Sequence, residues 1–334
     1  MPSLPVKYRP TAFGDVRGQQ RVLRVLQNQL ERREFRPVYL FAGGAGTGKT
    51  TVARIFANAI VRYPGGLIEI DGASHAGVDA IIEIRENAYL RPIATEYKVY
   101  IIDECHSLTS IAFNALLKVL EEPPAYTIFI LCTTDPGKLP ATILSRAQRL
   151  SFGRIDRREV LSRLSEVITA ERRQVQQPLL EAIATKAQGG MRDALSLLDA
   201  VLSYVTQDPV TLEEAAPIVG LVDEALYLQL AYELLAERGA EALKLLQTAH
   251  NEGRDWVGFF SGWCDFVLRL RETQLLGHPA WNGWMDGEAI QVFVEQASAS
   301  RLLAWIDSSL EVLGRLRYDP VPAYRIEGFF LKGG

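Results

Sequence analysis

Eight residues, Gly43–Thr50, constrain the fold more than any other part of the chain. They match the phosphate-loop pattern G-x-x-x-x-G-K-[ST] at every fixed position, after an apolar run at Val38–Ala42 and before a helical stretch. Loop N–H groups and the dipole of the following helix favour phosphate oxygens. Lys49 is expected to reach the β- and γ-phosphates and Thr50 to bind Mg²⁺. A chance glycine-rich turn is the alternative, which this context disfavours. We therefore predict that ATP is held by Gly44, Ala45, Gly46, Thr47, Gly48, Lys49, Thr50 and Thr51.

A second motif supplies carboxylates at the end of another apolar run. The run Lys98–Ile102 is followed by Asp103 and Glu104. Alone, such a pair is usually part of a solvated loop. Beside a phosphate loop, Asp103 suits the Mg²⁺ shell, and Glu104 is suited to orient and deprotonate the attacking water.

Thr134 follows the next apolar run, Thr127–Cys132. Because the carboxyl ends of parallel strands open on one edge, Thr134 can hold the water or the γ-phosphate there. His106 comes two residues after Glu104. A lone histidine is more often structural than catalytic, and a structural role is the prediction here.

Short β-rich runs alternate with helical stretches between residues 38 and 152, which predicts a parallel sheet flanked by helices. Further runs are Leu67–Ile70 and Arg149–Phe152. Beyond residue 152 the pattern is helical, with a break at Gln177-Pro178, and the predicted domains are 1–152, 153–215 and 216–334. The predicted helices include Ile111–Leu120, Asp156–Gln174, Leu179–Ala187, Met191–Tyr204, Glu224–Arg238, Ala240–Asn251, Trp256–Leu276 and Gly287–Leu316.

Composition excludes several classes of protein. A formal net charge of −4 argues against a protein that coats nucleic acid non-specifically. The three cysteines are far apart, so neither a disulfide framework nor a zinc site is expected. No apolar run approaches the ~18 residues of a membrane span, and the N-terminus lacks the apolar stretch of a signal peptide. We expect a cytoplasmic protein without membrane partners.

A series of motifs occurs in an order that resembles one family. They are Tyr8-Arg9-Pro10, Gly18-Gln19, the phosphate loop, Asp103-Glu104-Cys105-His106, Leu120-Glu121-Glu122-Pro123-Pro124, Thr133-Thr134-Asp135-Pro136, Ile143-Leu144-Ser145-Arg146 and Arg192-Asp193-Ala194-Leu195. The series is similar to that of the tau/gamma subunits of bacterial DNA polymerase III. This family consists of AAA+ clamp-loader ATPases. The resemblance is strong over about residues 4–205 and weak beyond them.

The resemblance implies roles for individual residues. Arg146 matches the arginine finger that acts on ATP in the neighbouring subunit, and Arg192 matches a sensor that touches the γ-phosphate from a helical lid domain. The segment that packs on the adenosine corresponds to Tyr8, Arg9, Pro10 and Val16. The C-terminal helices would form an all-α collar in a ring of about five subunits.

Two departures from the family pattern are visible. The four-cysteine zinc module is replaced by the short span Val61–Gly66, so no zinc is expected. The loops that face DNA in the family lack the usual Arg or Lys and instead carry Ser74, His75 and Thr109, which weakens phosphate contacts. The chain is expected to be a short form without the long C-terminal tail.

The predicted function is therefore that of an ATP-hydrolysing motor subunit of a DNA sliding-clamp loader. ATP and Mg²⁺ are the expected ligands, and the expected partners are other loader subunits, the sliding clamp and primer-template DNA. One alternative is a ring subunit that binds ATP without turnover, as an assembly adaptor. Another is an AAA+ DNA helicase or junction motor.

Overall fold

The computed structural model describes residues 2–61, 65–73, 78–92, 95–251, 256–278, 287–316, 319 and 321–334. The chain divides into two compact units. One comprises residues 1–173 and 186–199, and the other comprises residues 174–185 and 200–334. Among the described residues, no helix combines the length and apolar character that crossing a lipid bilayer requires.

A parallel sheet organises the first unit. Its described strands have the spatial order β2-β3-β4-β1-β5, and all of their pairings are parallel. β1 and β4 are almost wholly buried along their length, as expected for strands covered by helices on both faces. The predicted strand positions are confirmed, and each strand is one residue longer at one end than the prediction. The strands are β1 Val38–Gly43, β2 Leu67–Asp71, β3 Lys98–Asp103, β4 Thr127–Thr133 and β5 Gln148–Phe152.

Each face of the sheet has its own apolar core, because successive side chains of a strand point to opposite faces. Phe41 packs with Phe56 and neighbouring side chains on one face. Leu40 and Leu131 pack with Phe113 on the other. Full burial of one such side chain contributes about 1.5–3 kcal/mol, so the two cores fix the strands that carry the site.

Helices before and between the strands cover these cores, and a further helix of this unit follows β5. α5 begins where the Thr109 hydroxyl accepts a hydrogen bond from the Ala112 N–H at 3.2 Å, and it ends before Pro123, which cannot continue a helix. The helices are α1 Leu4–Lys7, α2 Gln20–Arg32, α3 Lys49–Val61, α4 Val78–Ala88, α5 Ser110–Glu121, α6 Ala141–Leu144 and α7 Arg157–Glu171.

The described elements after β5 are helices, as predicted. Several helix ends differ from the prediction by a few residues, and two differences have a clear physical cause. The dipeptide Gln177-Pro178 starts a helix instead of breaking one, since proline is tolerated in a first turn. The expected helix Gly287–Leu316 is two helices, because the Ser298 hydroxyl accepts from the Arg301 N–H at 3.2 Å and caps a new one. The elements are α8 Gln177–Lys186, α9 Met191–Tyr204, α10 Leu212–Val219, α11 Leu221–Leu235, α12 Gly239–Asn251, α13 Trp256–Leu276, α14 Gly287–Gln296, α15 Ala299–Leu316 and α16 Pro322–Leu331.

An aromatic core holds the second unit together. The rings of Trp263 and Trp305 are fully buried, with centroids 6.1 Å apart. The Trp263 indole N–H donates to the Ser309 hydroxyl at 3.1 Å, and the Trp305 indole N–H donates to the Gly333 carbonyl at 2.9 Å. Both polar ends of these buried rings are therefore satisfied.

A close approach at the end of β1 gives a test of the sheet. A Cβ at Gly43 would lie 2.2 Å from the Phe152 carbonyl oxygen of β5, so we expect Gly43→Ala to destabilise the protein by roughly 1–3 kcal/mol, as overpacking does. The measurement is urea or thermal unfolding. The matched control is Gly153→Ala, where an added Cβ meets no atom within 4 Å. Equal losses in the two variants would contradict the close-approach argument.

Candidate active site

The phosphate loop lies between β1 and α3. Two of its glycines, Gly46 and Gly48, have φ angles of +67° and +98°, in the left-handed region that glycine adopts at little cost. Such angles allow successive N–H groups to point at an anion. The loop also contacts the start of α9, where the Met191 N–H donates to the Gly46 carbonyl at 3.0 Å.

Lys49, the first residue of α3, is buried beneath this loop. Its ammonium donates to the carbonyl oxygens of Gly43 at 2.9 Å and Gly44 at 2.8 Å. Burial lowers the pKa of Lys49, and the nearby carboxylate of Glu104 partly offsets this effect. Since an ammonium has three protons, the contacts within the loop leave one for a ligand.

Asp103, at the end of β3, is paired with Thr50. The Thr50 hydroxyl donates to Asp103 Oδ2 at 2.7 Å, and the Glu104 N–H donates to Asp103 Oδ1 at 3.0 Å. Burial raises the pKa of Asp103, and the hydrogen bond from Thr50 partly offsets this effect. A hydroxyl beside a carboxylate provides the hard oxygen ligands that Mg²⁺ takes, and a cation would offset the cost of burying the carboxylate. These residues fit a magnesium ion.

Glu104 is held by residues that follow β3 and β4. The Thr134 hydroxyl donates to Glu104 Oε2 at 3.1 Å. His106 Nδ1 lies 3.3 Å from the same oxygen and 3.1 Å from the Thr133 hydroxyl. The structure thus brings together the two strand-end motifs that the sequence marked, and it places His106 beside them.

A cleft of about 390 Å³ lies beside the phosphate loop and the acidic pair, within the size range of small-molecule sites. The lining combines residues of the phosphate loop, the acidic pair, the N-terminal segment and the start of α9. Arg192 lies in this lining, and no described acidic residue forms an ion pair with its guanidinium. The predicted residues in the lining are Tyr8, Arg9, Pro10, Val16, Ala45, Gly46, Thr47, Gly48, Lys49, Thr50, Thr51, Asp103, Glu104 and Arg192.

The N-terminal wall of the cleft is anchored on α7. The Tyr8 hydroxyl and the Lys7 ammonium both donate to Glu171 Oε1, at 2.6 and 2.7 Å. The Arg163 guanidinium donates to the Tyr8 carbonyl at 3.0 Å. The hydrogen bond from Lys7 is the main reason that the pKa of Glu171 is lowered.

Sequence reasoning missed Arg163, which lines the cleft, and it gave Gln19 no role. The Gln19 amide donates to the Gly153 carbonyl at 2.7 Å and to the Thr47 carbonyl at 3.3 Å, so it ties the phosphate loop to the end of β5. Gln19 belongs to the Gly18-Gln19 motif, and this motif could have marked it as a residue of the site. No pattern marked Arg163, because α7 carries several arginines.

Other predicted residues lie elsewhere. Arg146 donates to the Thr142 carbonyl at 3.0 Å and lies 3.5 Å from Glu121 Oε1, and it is not among the residues that line the cleft. Thr109 caps α5, and its predicted DNA contact stays a prediction. Ser74 and His75 lie outside the described residues.

Comparisons with known proteins agree with this geometry. Residues 66–156 match the family model "DNA polymerase III, delta subunit", and residues 159–206 match "DNA polymerase III clamp loader subunit, ATPase lid domain". DNA polymerase III subunit tau of Bacillus subtilis is 44% identical over 326 residues, which cover 90% of this chain and 57% of that protein. The chain is a homologue of the DNA polymerase III tau/gamma subunits. A gamma/tau subunit of Mycobacterium bovis is 35% identical over 96% of this chain and 60% of its own length.

The fold is also that of another AAA+ protein. The structure of the Thermotoga maritima RuvB Holliday junction branch migration motor has a TM-score of 0.53, with 20% identity, over 68% of this chain and 79% of that one. At this identity the likeness concerns the fold alone. The chain spans between about four and six tenths of the length of the tau/gamma relatives that it matches.

The position of Lys49 gives a test of the site. We expect Lys49→Ala to weaken ATP binding by about 10- to 100-fold, because a hydrogen bond to a charged group contributes roughly 1.5–3 kcal/mol. Isothermal titration with ATP and Mg²⁺ is the measurement. Lys138→Ala is the control, since Lys138 is 64% exposed and outside the cleft lining. An affinity within a few-fold of the unsubstituted chain would remove the phosphate-loop assignment.

Proposed function

We propose that the chain is the ATP-hydrolysing motor subunit of a DNA sliding-clamp loader. The observation that carries the proposal is the convergence on one cleft of the phosphate loop, Asp103, Glu104 and Arg192. Homology to subunits of DNA polymerase III supports the clamp-loader assignment. In this proposal ATP binding closes a ring of about five subunits around primer-template DNA and opens the sliding clamp, and hydrolysis releases both.

Binding of ATP follows from the charges of the cleft. The free proton of Lys49 and the N–H groups of the loop meet the phosphate oxygens. Arg192 approaches the γ-phosphate from the start of α9. Tyr8 and Val16 lie in the wall against which the adenosine packs, and the anchoring of Tyr8 on Glu171 keeps that wall in place.

The acid–base chemistry is assigned to Glu104. Its Oε2 accepts from Thr134, and no described residue bonds its Oε1, which leaves this oxygen to take a proton from the attacking water. Thr50 and Asp103 would hold Mg²⁺, which would neutralise the negative charge of the phosphates. The proposal includes no zinc.

The proposed organisation has an AAA+ domain at 1–152, a lid at 153–215 and a collar at 216–334. The lid match at 159–206 falls inside the second range. We place the protein in the cytoplasm with the replication machinery, where the other loader subunits and the clamp are its partners.

An adaptor without turnover is disfavoured because Glu104 is already held by Thr134, and no observation favours a junction motor beyond the shared fold.

Glu104→Gln separates binding from chemistry. The carboxamide keeps the shape of the side chain and can still accept from Thr134, but it cannot serve as a base. We expect ATP affinity to be retained while hydrolysis falls about 10²- to 10⁴-fold, so that the assembled complex stays on the clamp. Phosphate release with clamp and primed DNA is the measurement, and Glu122→Gln, at an exposed position, is the control. Normal turnover would show that Glu104 is not the base.

Arg146→Ala tests the action of one chain on the next. A finger supplied in trans contributes roughly 10³–10⁵ in rate, so we expect clamp- and DNA-stimulated hydrolysis in the assembled ring to collapse while the ATP affinity of the single chain is unchanged. Arg149→Ala, at an exposed position nearby, is the control. Mixing Arg146→Ala with Lys49→Ala chains should restore activity at interfaces that join an intact site to an intact finger. Full stimulated activity in an all-Arg146→Ala ring would show that Arg146 is a surface residue only.

A further inference from the structure

His106 lies in a short 3-10 turn, Cys105–Ser107, directly after β3. Glu104 precedes the turn. Its φ of +44° is in the left-handed region, which is unusual for a residue other than glycine. This conformation folds the chain back, so that the His106 ring reaches the carboxylate two residues before it. Nδ1 is 3.3 Å from Glu104 Oε2 and 3.1 Å from Thr133 Oγ1.

The nearby carboxylate favours a proton on this ring nitrogen. A carboxylate oxygen only accepts, so an unprotonated Nδ1 would set two lone pairs against each other across 3.3 Å. The Thr133 hydroxyl oxygen accepts from the Asp135 N–H at 3.0 Å and has a second lone pair for another donor. The Thr133 hydroxyl can accept from a protonated Nδ1 or donate to an unprotonated one, so the carboxylate is the neighbour that favours a proton on Nδ1.

The consequence is an asymmetric carboxylate. Glu104 Oε2 accepts from the Thr134 hydroxyl at 3.1 Å, and it lies 3.3 Å from His106 Nδ1. Oε1 is bonded by no described residue, and Glu104 is part of the cleft lining. Two contacts on one oxygen restrict the rotation of the carboxylate and leave Oε1 without a described partner.

We propose that His106 is a positioning residue for the base of ATP hydrolysis. It donates from Nδ1 to Glu104 Oε2 and so presents Oε1 to the attacking water. The proposal rests on the proposed function, because it needs Glu104 to be the base. It replaces the structural role that the sequence indicated for His106 with one in the orientation of the reacting group.

Three substitutions test the geometry of the donor. The amide nitrogen of asparagine stands at the same number of bonds from the backbone as Nδ1, whereas that of glutamine stands one bond further. We expect His106→Ala and His106→Gln to lower kcat by about 10- to 100-fold, the usual effect of removing a group that orients a reacting residue, with KM for ATP little changed. His106→Asn should recover most of the lost rate.

A structural role would give a different pattern. If His106 only satisfies the buried Thr133 hydroxyl, the variants should lose thermal stability and ATP affinity together, and kcat should follow the fraction folded. Wild-type kcat in His106→Ala, or a loss in His106→Asn as large as in His106→Ala, would overturn the proposal. Melting temperature and ATP titration of each variant accompany the kinetics.

A spectroscopic measurement tests the contact without any turnover. The chain has four histidines. In ¹⁵N-histidine-labelled protein, the ring resonances that are lost in His106→Asn identify those of His106. We expect the Nδ1–H tautomer in the free protein, and less of it in Glu104→Gln, whose side chain no longer demands a donor. An Nε2–H tautomer in the free protein would overturn the proposal by itself. If Glu104→Gln hydrolyses ATP normally, the proposed function of Glu104 fails; if only the His106 variants are normal, this inference fails alone.

Discussion

The register of three neighbouring parallel strands determines where the phosphate loop, the acidic pair and the threonine pair of the candidate site lie. Ile102 of β3 is level with Leu131 of β4, which is level with Leu40 of β1. The acidic pair, the threonine pair and the phosphate loop each begin within three residues after these partners. They therefore lie at the same edge of the sheet. A shift of one residue in any strand would turn its side chains to the opposite face. The apolar cores on the two faces prevent that shift and so fix the site.

Burial makes this edge electrostatically unfavourable in the free protein. The pKa of Lys49 is lowered and that of Asp103 is raised, in both cases mainly because burial penalises the charged form. Each charged group is therefore less stable here than in water. Ligands with complementary charges, phosphates for the ammonium and a divalent cation for the carboxylate, would offset this cost. The same shifts that lower stability thus indicate what the site is suited to bind.

The sequence allowed the strand ends and the chemistry at them to be predicted, because motif and periodicity coincide there. The short continuous apolar runs of β1 and β4 are typical of buried strands, and the motifs follow them directly. Residues that act through the tertiary fold escaped prediction. Arg163 reaches the Tyr8 carbonyl from a helix 155 positions away, and no local pattern encodes such a distance. His106 was visible, but its role depends on the left-handed backbone at Glu104, which residue types alone do not reveal.

The position of Arg146 bears on how the proposed ATPase is controlled. Its ion pair with Glu121 joins two largely exposed side chains, 39% and 51% accessible, and exposed pairs of this kind contribute only about 0–1 kcal/mol. The guanidinium can therefore leave Glu121 at little cost when a more strongly charged partner is near. Under the proposed function, the cleft of its own chain supplies phosphate contacts, a base and metal ligands, but not this cation. A site that has its base in one chain and takes its last positive charge from the next can bind ATP before assembly and hydrolyse it quickly only afterwards. Under the proposed function, hydrolysis is thereby linked to ring closure by geometry alone.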